Sequence, residues 1–240
     1  MWALAKPLLA GLITATLLTP ESPPPQAWVT DFTGYPQQYN LSCEIRSATD
    51  VANFWGVPVS EDALISTLPV SDDPNMGFIG DITAPAGSLP PIGYGVYAHP
   101  VAYILKRAGL NAHPHHKFSL DQIKREIAQG RPVIVWGTYG MKPGEVQAWT
   151  TQLGRIVSIV RWEHSFVAVG YDEGGIYLVD AYDATLQYYA YDAFLSGWDM
   201  LERMAVTVSG HHKPETALAT REIDGYPHFI WRDQTVLGPW

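Results

Sequence analysis

The order of elements in this sequence predicts an α+β fold, with helices first and an antiparallel sheet second. Three observations carry that reading. After Ser42, the apolar residues Ile45, Ala48, Val51, Ala52 and Trp55 recur at three- and four-residue steps, which is helical spacing. Ser119-Leu120-Asp121-Gln122 forms a capping box that opens a later helix. From Pro132 onward the chain turns to short β-branched runs, beginning with Pro132-Val133-Ile134-Val135-Trp136.

The first residues read as a targeting segment. Lys6 precedes an apolar run from Pro7 to Leu18, which is short for a membrane span of about 20 residues and suits an export signal or a short anchor. Thr19 to Gln26 is Pro-rich and reads as an extended linker, so residues 1–27 stand apart from the body at 28–208. Localisation is therefore expected to be extracellular or at the cell surface, with N-terminal membrane association allowed.

Within the body, Ser42 is the expected N-cap of a helix over 43–55 that stops at Gly56. A second helix opens at Ser60 and ends near Pro69. Residues 71–98 are rich in Gly, Pro and Asp and read as a long loop, of the length that usually carries function. Pro100 to Ala108 form a helix with Pro in its first turn and Gly109 beyond its end. The capping box starts a helix that runs to Gln129 and stops at Gly130. Strands are expected at 132–136, 155–160, 164–171, 176–180, 187–191 and 204–208, with a short helix around 193–198. Residues 209–240 read as a C-terminal extension.

Composition narrows the function. At 240 residues, 47% hydrophobic and 16% charged, the chain can bury the core of one domain. A net charge of −9 without a Lys/Arg cluster argues against a nucleic-acid partner. One cysteine, Cys43, excludes an internal disulfide and a Cys-rich zinc site. That thiol is either an apolar filler or a nucleophile.

Its position favours the nucleophile. A thiol in the first helical turn meets unpaired N–H groups and the positive end of the helix dipole, so thiolate is expected to be favoured there. A base is then needed. His164, at the start of the strand Ser165-Phe166-Val167-Ala168-Val169-Gly170-Tyr171, is the best candidate. His99 precedes a helix, and His113, His115 and His116 read as members of a polar loop, so neither set competes as base or as metal site. Asp180 ends the next strand and could orient the imidazole. A two-residue turn at Glu173-Gly174 would put His164 and Asp180 on opposite faces of the hairpin, so their meeting requires an odd loop or a bulge. Asp183 is the alternative orienter. Gln37 or Gln38, shortly before Cys43, could aim an amide N–H at the oxyanion site beside the Cys43 backbone N–H.

Further short motifs surround these residues: Leu41-Ser42-Cys43-Glu44, Asp73-Pro74-Asn75-Met76-Gly77-Phe78-Ile79-Gly80, Gly93-Tyr94-Gly95, Glu163-His164 and Val169-Gly170-Tyr171-Asp172. In that order, over residues 30–208, the chain resembles the peptidase-like family related to the double-glycine leader cysteine peptidases, family thirty-nine, of the papain superfamily. The resemblance implies a papain-like fold, a helical part packed on an antiparallel sheet, with Cys43 as nucleophile, His164 as base, Asp180 as orienter and Gln37 as oxyanion donor. Glu44 stands where the transporter-fused members carry Gly. A peptide or protein substrate is implied, with no metal or organic cofactor. Loop 71–98 and Trp136 are expected to line the cleft. A cell-wall amidase, an acyl transferase and an idle binding module on the same fold are the rival readings.

Overall fold

The computed structural model describes residues 22–211, 220–223 and 226–229. The expected export segment lies outside the described residues, apart from the last of its linker. Among the described residues no helix is long and apolar enough to cross a membrane.

The helices start where their caps dictate. Helix α1 spans Cys43–Phe54 and ends as Gly56 takes a left-handed φ of 77°. Ser42 occupies the N-cap position, but its hydroxyl is turned to the Tyr39 carbonyl and Glu61 instead of the helix N–H groups. Helix α2, Glu61–Ile65, is shorter than the sequence suggests and is capped by Ser60, which accepts from Ala63 N–H at 3.1 Å. Helix α3, Ala98–Arg107, begins two residues before Pro100. Helix α4, Leu120–Ala128, has both bonds of the expected capping box, between Ser119 and Gln122, at 3.1 and 2.8 Å. Helix α5 spans Tyr191–Asp199.

The strands are β1 Ala27–Trp28, β2 Leu110–His115, β3 Val133–Thr138, β4 Val146–Thr150, β5 Ile156–Val160, β6 Glu163–Tyr171, β7 Gly175–Asp180, β8 Leu186–Ala190, β9 Ala205–His211, β10 Thr220–Ile223 and β11 Tyr226–Phe229, the last two paired with each other. Among the described residues, seven of them form one antiparallel sheet in the order β2-β9-β3-β6-β7-β8, with β1 on β6. β4 and β5 make a separate ribbon. The segment holding His113 and His115 is thus a strand, not the polar loop the sequence suggests. It sits at the sheet edge, where Pro114 costs no interior ladder bond.

The β6–β7 hairpin has the tight turn that should separate His164 from Asp180. Asp172 N–H donates to Gly175 O at 3.0 Å across Glu173-Gly174, and Tyr171 pairs with Ile176. The register then shifts between Ala168 and Gly170, so Phe166 faces Asp180. Val169 is the extra residue of this bulge, and its carbonyl accepts from Val29 N–H at 2.7 Å beside β1. One inserted residue reverses the facing of everything beyond it and returns Asp180 to the side of His164.

Trp136, Phe166, Phe194, Trp198, Ile45 and Ile134 are fully buried around the central strands. Helix α1 rests on β6, where the buried hydroxyls of Ser47 and Ser165 meet at 2.9 Å. Met141 fills the space between Gly137 on β3 and Gly197 on α5, where a Cβ on either glycine would come within 2.7–2.8 Å of it. Trp136 is part of this core, with its indole N–H on Val96 O at 3.0 Å, so it does not line a cleft as expected from the sequence.

Buried charges tie α1 to α2. Arg46 reaches Asp50 at 2.5 Å and Glu61 at 3.3 Å, and Tyr35 N–H and Gln38 N–H satisfy further oxygens of the same carboxylates. Removing the guanidinium would leave two buried carboxylates unpaired. Arg46→Ala should lower the unfolding free energy by about 3–5 kcal/mol, read from the urea midpoint. Adding Asp50→Asn and Glu61→Gln to it should recover part of the loss.

Candidate active site

Cys43 opens α1, and its sulfur is buried. Arg46 N–H is the donor that bonds back to Ser42 O, so the Cys43 N–H lies in the first turn, which has no intrahelical acceptors. The thiol donates to Glu44 Oε2 at 3.2 Å. The Ser165 backbone N–H favours the charged form of the sulfur. One turn further along α1, the Ser47 hydroxyl meets that of Ser165 at 2.9 Å and ties the helix to β6.

His164 sits near the start of β6, opposite Gly137 of β3, and is 6% exposed. Its Nε2 meets Asp180 Oδ1 at 2.6 Å. Asp180 is held in turn: Tyr182 N–H donates to Oδ1 at 2.8 Å and Gln187 Nε2 to Oδ2 at 3.0 Å. Burial alone would raise the Asp180 carboxyl. The His164 hydrogen bond and charge, with the Tyr182 and Gln187 donors, outweigh it and hold the group below its ordinary 3.8. Asp183 does not take the orienting place, since it accepts from Thr185 N–H and the Thr185 hydroxyl. Tyr139 stands edge-on to the His164 ring at 5.5 Å and to Tyr182 at 6.2 Å, and both tyrosines are about half exposed. With Nε2 committed to Asp180, Nδ1 is the ring nitrogen left for proton exchange.

Gln37 is anchored differently from the sequence expectation. Its Nε2 donates to Tyr39 O at 2.6 Å and to Asn40 O at 2.9 Å. Both amide hydrogens are thus engaged in shaping the loop that leads into α1. Gln38 contributes its backbone N–H to Glu61.

Two carboxylates beside the sulfur have no counterpart in the sequence-based site. Glu44 is fully buried, and its Oε1 accepts from Val96 N–H at 2.7 Å. Glu163 sits one residue before His164, and its buried Oε1 has no hydrogen-bond partner among the described residues. The Cys43 sulfur and one carboxylate oxygen from each of Glu44 and Glu163 lie within 4.8 Å of one another. Gly95, with φ 142°, makes room for the pair. A Cβ there would stand 2.3 Å from Glu44 Oε1 and 2.9 Å from Glu163 Oε2. Burial raises Glu44 to about 7, against the lowering effects of Val96 N–H, its own N–H, Cys43 and His164. Burial and the charge of Glu44 push Glu163 well up.

These groups reverse the expectation that helix α1 would favour thiolate. Burial, then the charges of Glu44 and Glu163, push the Cys43 thiol up. Adjacency could have flagged both carboxylates, because Glu44 follows the nucleophile candidate and Glu163 precedes the base candidate. Loop 71–98 reaches the site through Gly95 and Val96. His99 stacks on His116 at 5.4 Å in the first turn of α3, and the two make a pair of their own.

Helices packed on an antiparallel sheet, in this order along the chain, make a papain-like α+β fold. The model of the Peptidase C39-like family matches residues 29–206, and the chain belongs to that family. It is 30% identical over 184 residues to the uncharacterized protein YvpB of Bacillus subtilis strain 168, covering 72% of this chain and 70% of that one. A crystal structure of a putative C39-like peptidase from Bacillus anthracis superposes with a TM-score of 0.69 at 22% identity, over 78% of this chain and 99% of the other.

Because the folded pKa of Asp180 lies below its unfolded value, its pairing contributes fully above about 3.8 and is lost as pH falls through the lower folded value. Asp180→Asn should therefore flatten the acid limb of a plot of melting temperature against pH. An acid limb as steep as in the wild type would contradict the pairing.

Proposed function

We propose that this chain is a cysteine peptidase or amidase that cleaves a peptide or amide bond through a thioester on Cys43. The observation that carries this reading is the 2.6 Å pair of His164 Nε2 and Asp180 Oδ1, with His164 on the strand against which the helix opened by Cys43 packs. In the proposed sequence, the thiol turns its proton from Glu44 to His164 Nδ1. The sulfur then attacks the substrate carbonyl carbon, and the electron pair of the carbonyl moves to oxygen. The Cys43 N–H in the first turn of α1 stabilises that oxyanion. Gln37 would be the second donor on releasing one of its two carbonyl partners. As the tetrahedral carbon collapses, the C–N bond breaks and the imidazolium gives its proton to the leaving amine. Water then attacks the thioester carbonyl as His164 takes its proton; the C–S bond breaks with its electron pair on sulfur, the acid product leaves, and the imidazolium returns the proton to restore the thiol. Asp180 keeps the ring in one tautomer throughout.

The burial of Cys43, which pushes its thiol up, favours one rival, a papain-like shell that binds without cutting. Hydrolysis separates the two. A pool of unstructured peptides, incubated with the full chain and read by mass spectrometry, should yield cleavage products. Cys43→Ala should abolish them, and wild-type product yield from that variant would overturn the assignment. Asp180→Asn should reduce turnover by about a thousand-fold or more with KM little changed, because the substrate meets the same surface while the ring loses its orientation.

A further inference from the structure

Two carboxylates at a buried thiol are an expensive arrangement, and nothing in the proposed hydrolysis requires them. Glu44 sits in a fixed orientation. Val96 N–H holds its Oε1 at 2.7 Å, which turns Oε2 toward the sulfur at 3.2 Å. Glu163 stands behind it with a buried, unpartnered Oε1. The groups that face this pair are Cys43 from α1, His164 from β6 and the Val96 N–H from the loop, and the hydroxyls of Tyr94 and Tyr97 lie within electrostatic reach of Glu163. A thiolate formed beside an ionised Glu44 would add a second negative charge in a desolvated site.

We propose that Glu44, backed by Glu163, is a positioning residue that restrains the nucleophile, holding Cys43 as a hydrogen-bonded thiol while Glu44 is ionised and releasing it toward thiolate when Glu44 carries a proton. The inference rests on the reading of Cys43 as the nucleophile. When Glu44 is protonated, ionising the thiol leaves one negative charge on the Cys43–Glu44 pair, and the Glu44 O–H can donate to the sulfur. The same species forms when the S–H proton moves to Glu44 Oε2: the S–H bond breaks, its electron pair stays on sulfur, an O–H bond forms and the net charge is unchanged. Burial puts Glu44 at about 7, so its own protonation falls in the neutral range.

Glu44→Gln isolates the effect. The amide oxygen can keep the Val96 N–H, while the NH₂ replaces Oε2 and donates toward sulfur. Cys43 is the chain's single cysteine, so its thiolate can be titrated by ultraviolet absorbance against a Cys43→Ser blank, and its reactivity followed with iodoacetamide. Glu44→Gln should shift thiolate formation to lower pH and raise the alkylation rate at neutral pH on the order of tenfold or more. Glu163→Gln, which leaves the Val96 contact untouched, should act in the same direction. Thiolate titration at the wild-type pH in both variants would overturn the proposal. Neither readout uses peptide cleavage, so a shifted titration in a chain that cuts no peptide would sink the hydrolase reading and leave the restraint standing.

Discussion

The hydrogen bond between His164 Nε2 and Asp180 Oδ1 is what gives this site directionality, and it depends on the bulge at Val169. Strand side chains alternate strictly, so a hairpin closed by the tight Glu173-Gly174 turn would place the two groups on opposite faces. The bulge adds one residue on β6 and reverses the alternation beyond it. Its cost is an unpaired position in the ladder, and the residue just after β1 offsets that cost by giving Val29 N–H to the Val169 carbonyl. The segment just after the Pro-rich stretch thus helps hold the register that assembles the site.

The environment of Cys43 is a contest of unequal effects. A helix N-terminus stabilises an anion by about 0.3–1 kcal/mol when exposed and up to about 2 when partly buried. Full burial shifts an ionisable group by as much as about 3–5 pH units, which is several kcal/mol. With two carboxylates adding repulsion, burial wins and the balance at the sulfur favours the thiol form. The Ser165 N–H opposes this, but it is one donor against a desolvated site. A site of this kind separates having the reacting parts from having them charged.

Much of the frame was legible because it rests on local signals. The α1 periodicity, the Ser119 capping box and the β-branched runs each specify their element without distant help. Cys43, His164 and Asp180 could be picked out because a thiol at a helix start and charges at strand ends are unusual positions for those residues. What was hidden depends on contacts made at a distance. β2 carries Pro and His and becomes a strand only by pairing with β9 at the sheet edge. Trp136 looks like a cleft residue in sequence, yet its indole finds Val96 O in the core. Gln37 has the spacing of an oxyanion donor, but its amide serves the Tyr39 and Asn40 carbonyls. Burial of Glu44 and Glu163 against one sulfur needs Gly95 from a third segment to leave room, and no local pattern reports that.

The central claim is that the Cys43 sulfur itself carries the acyl group during turnover. The most direct measurement is rapid acid quenching of the full chain during reaction with an activated ester of an N-acyl amino acid, followed by peptide mapping in a mass spectrometer. The account predicts the acyl mass on the peptide containing Cys43, accumulating in the wild type and absent when His164 is replaced by alanine. Ester turnover with an unmodified Cys43, or acylation that is indifferent to His164, would contradict it.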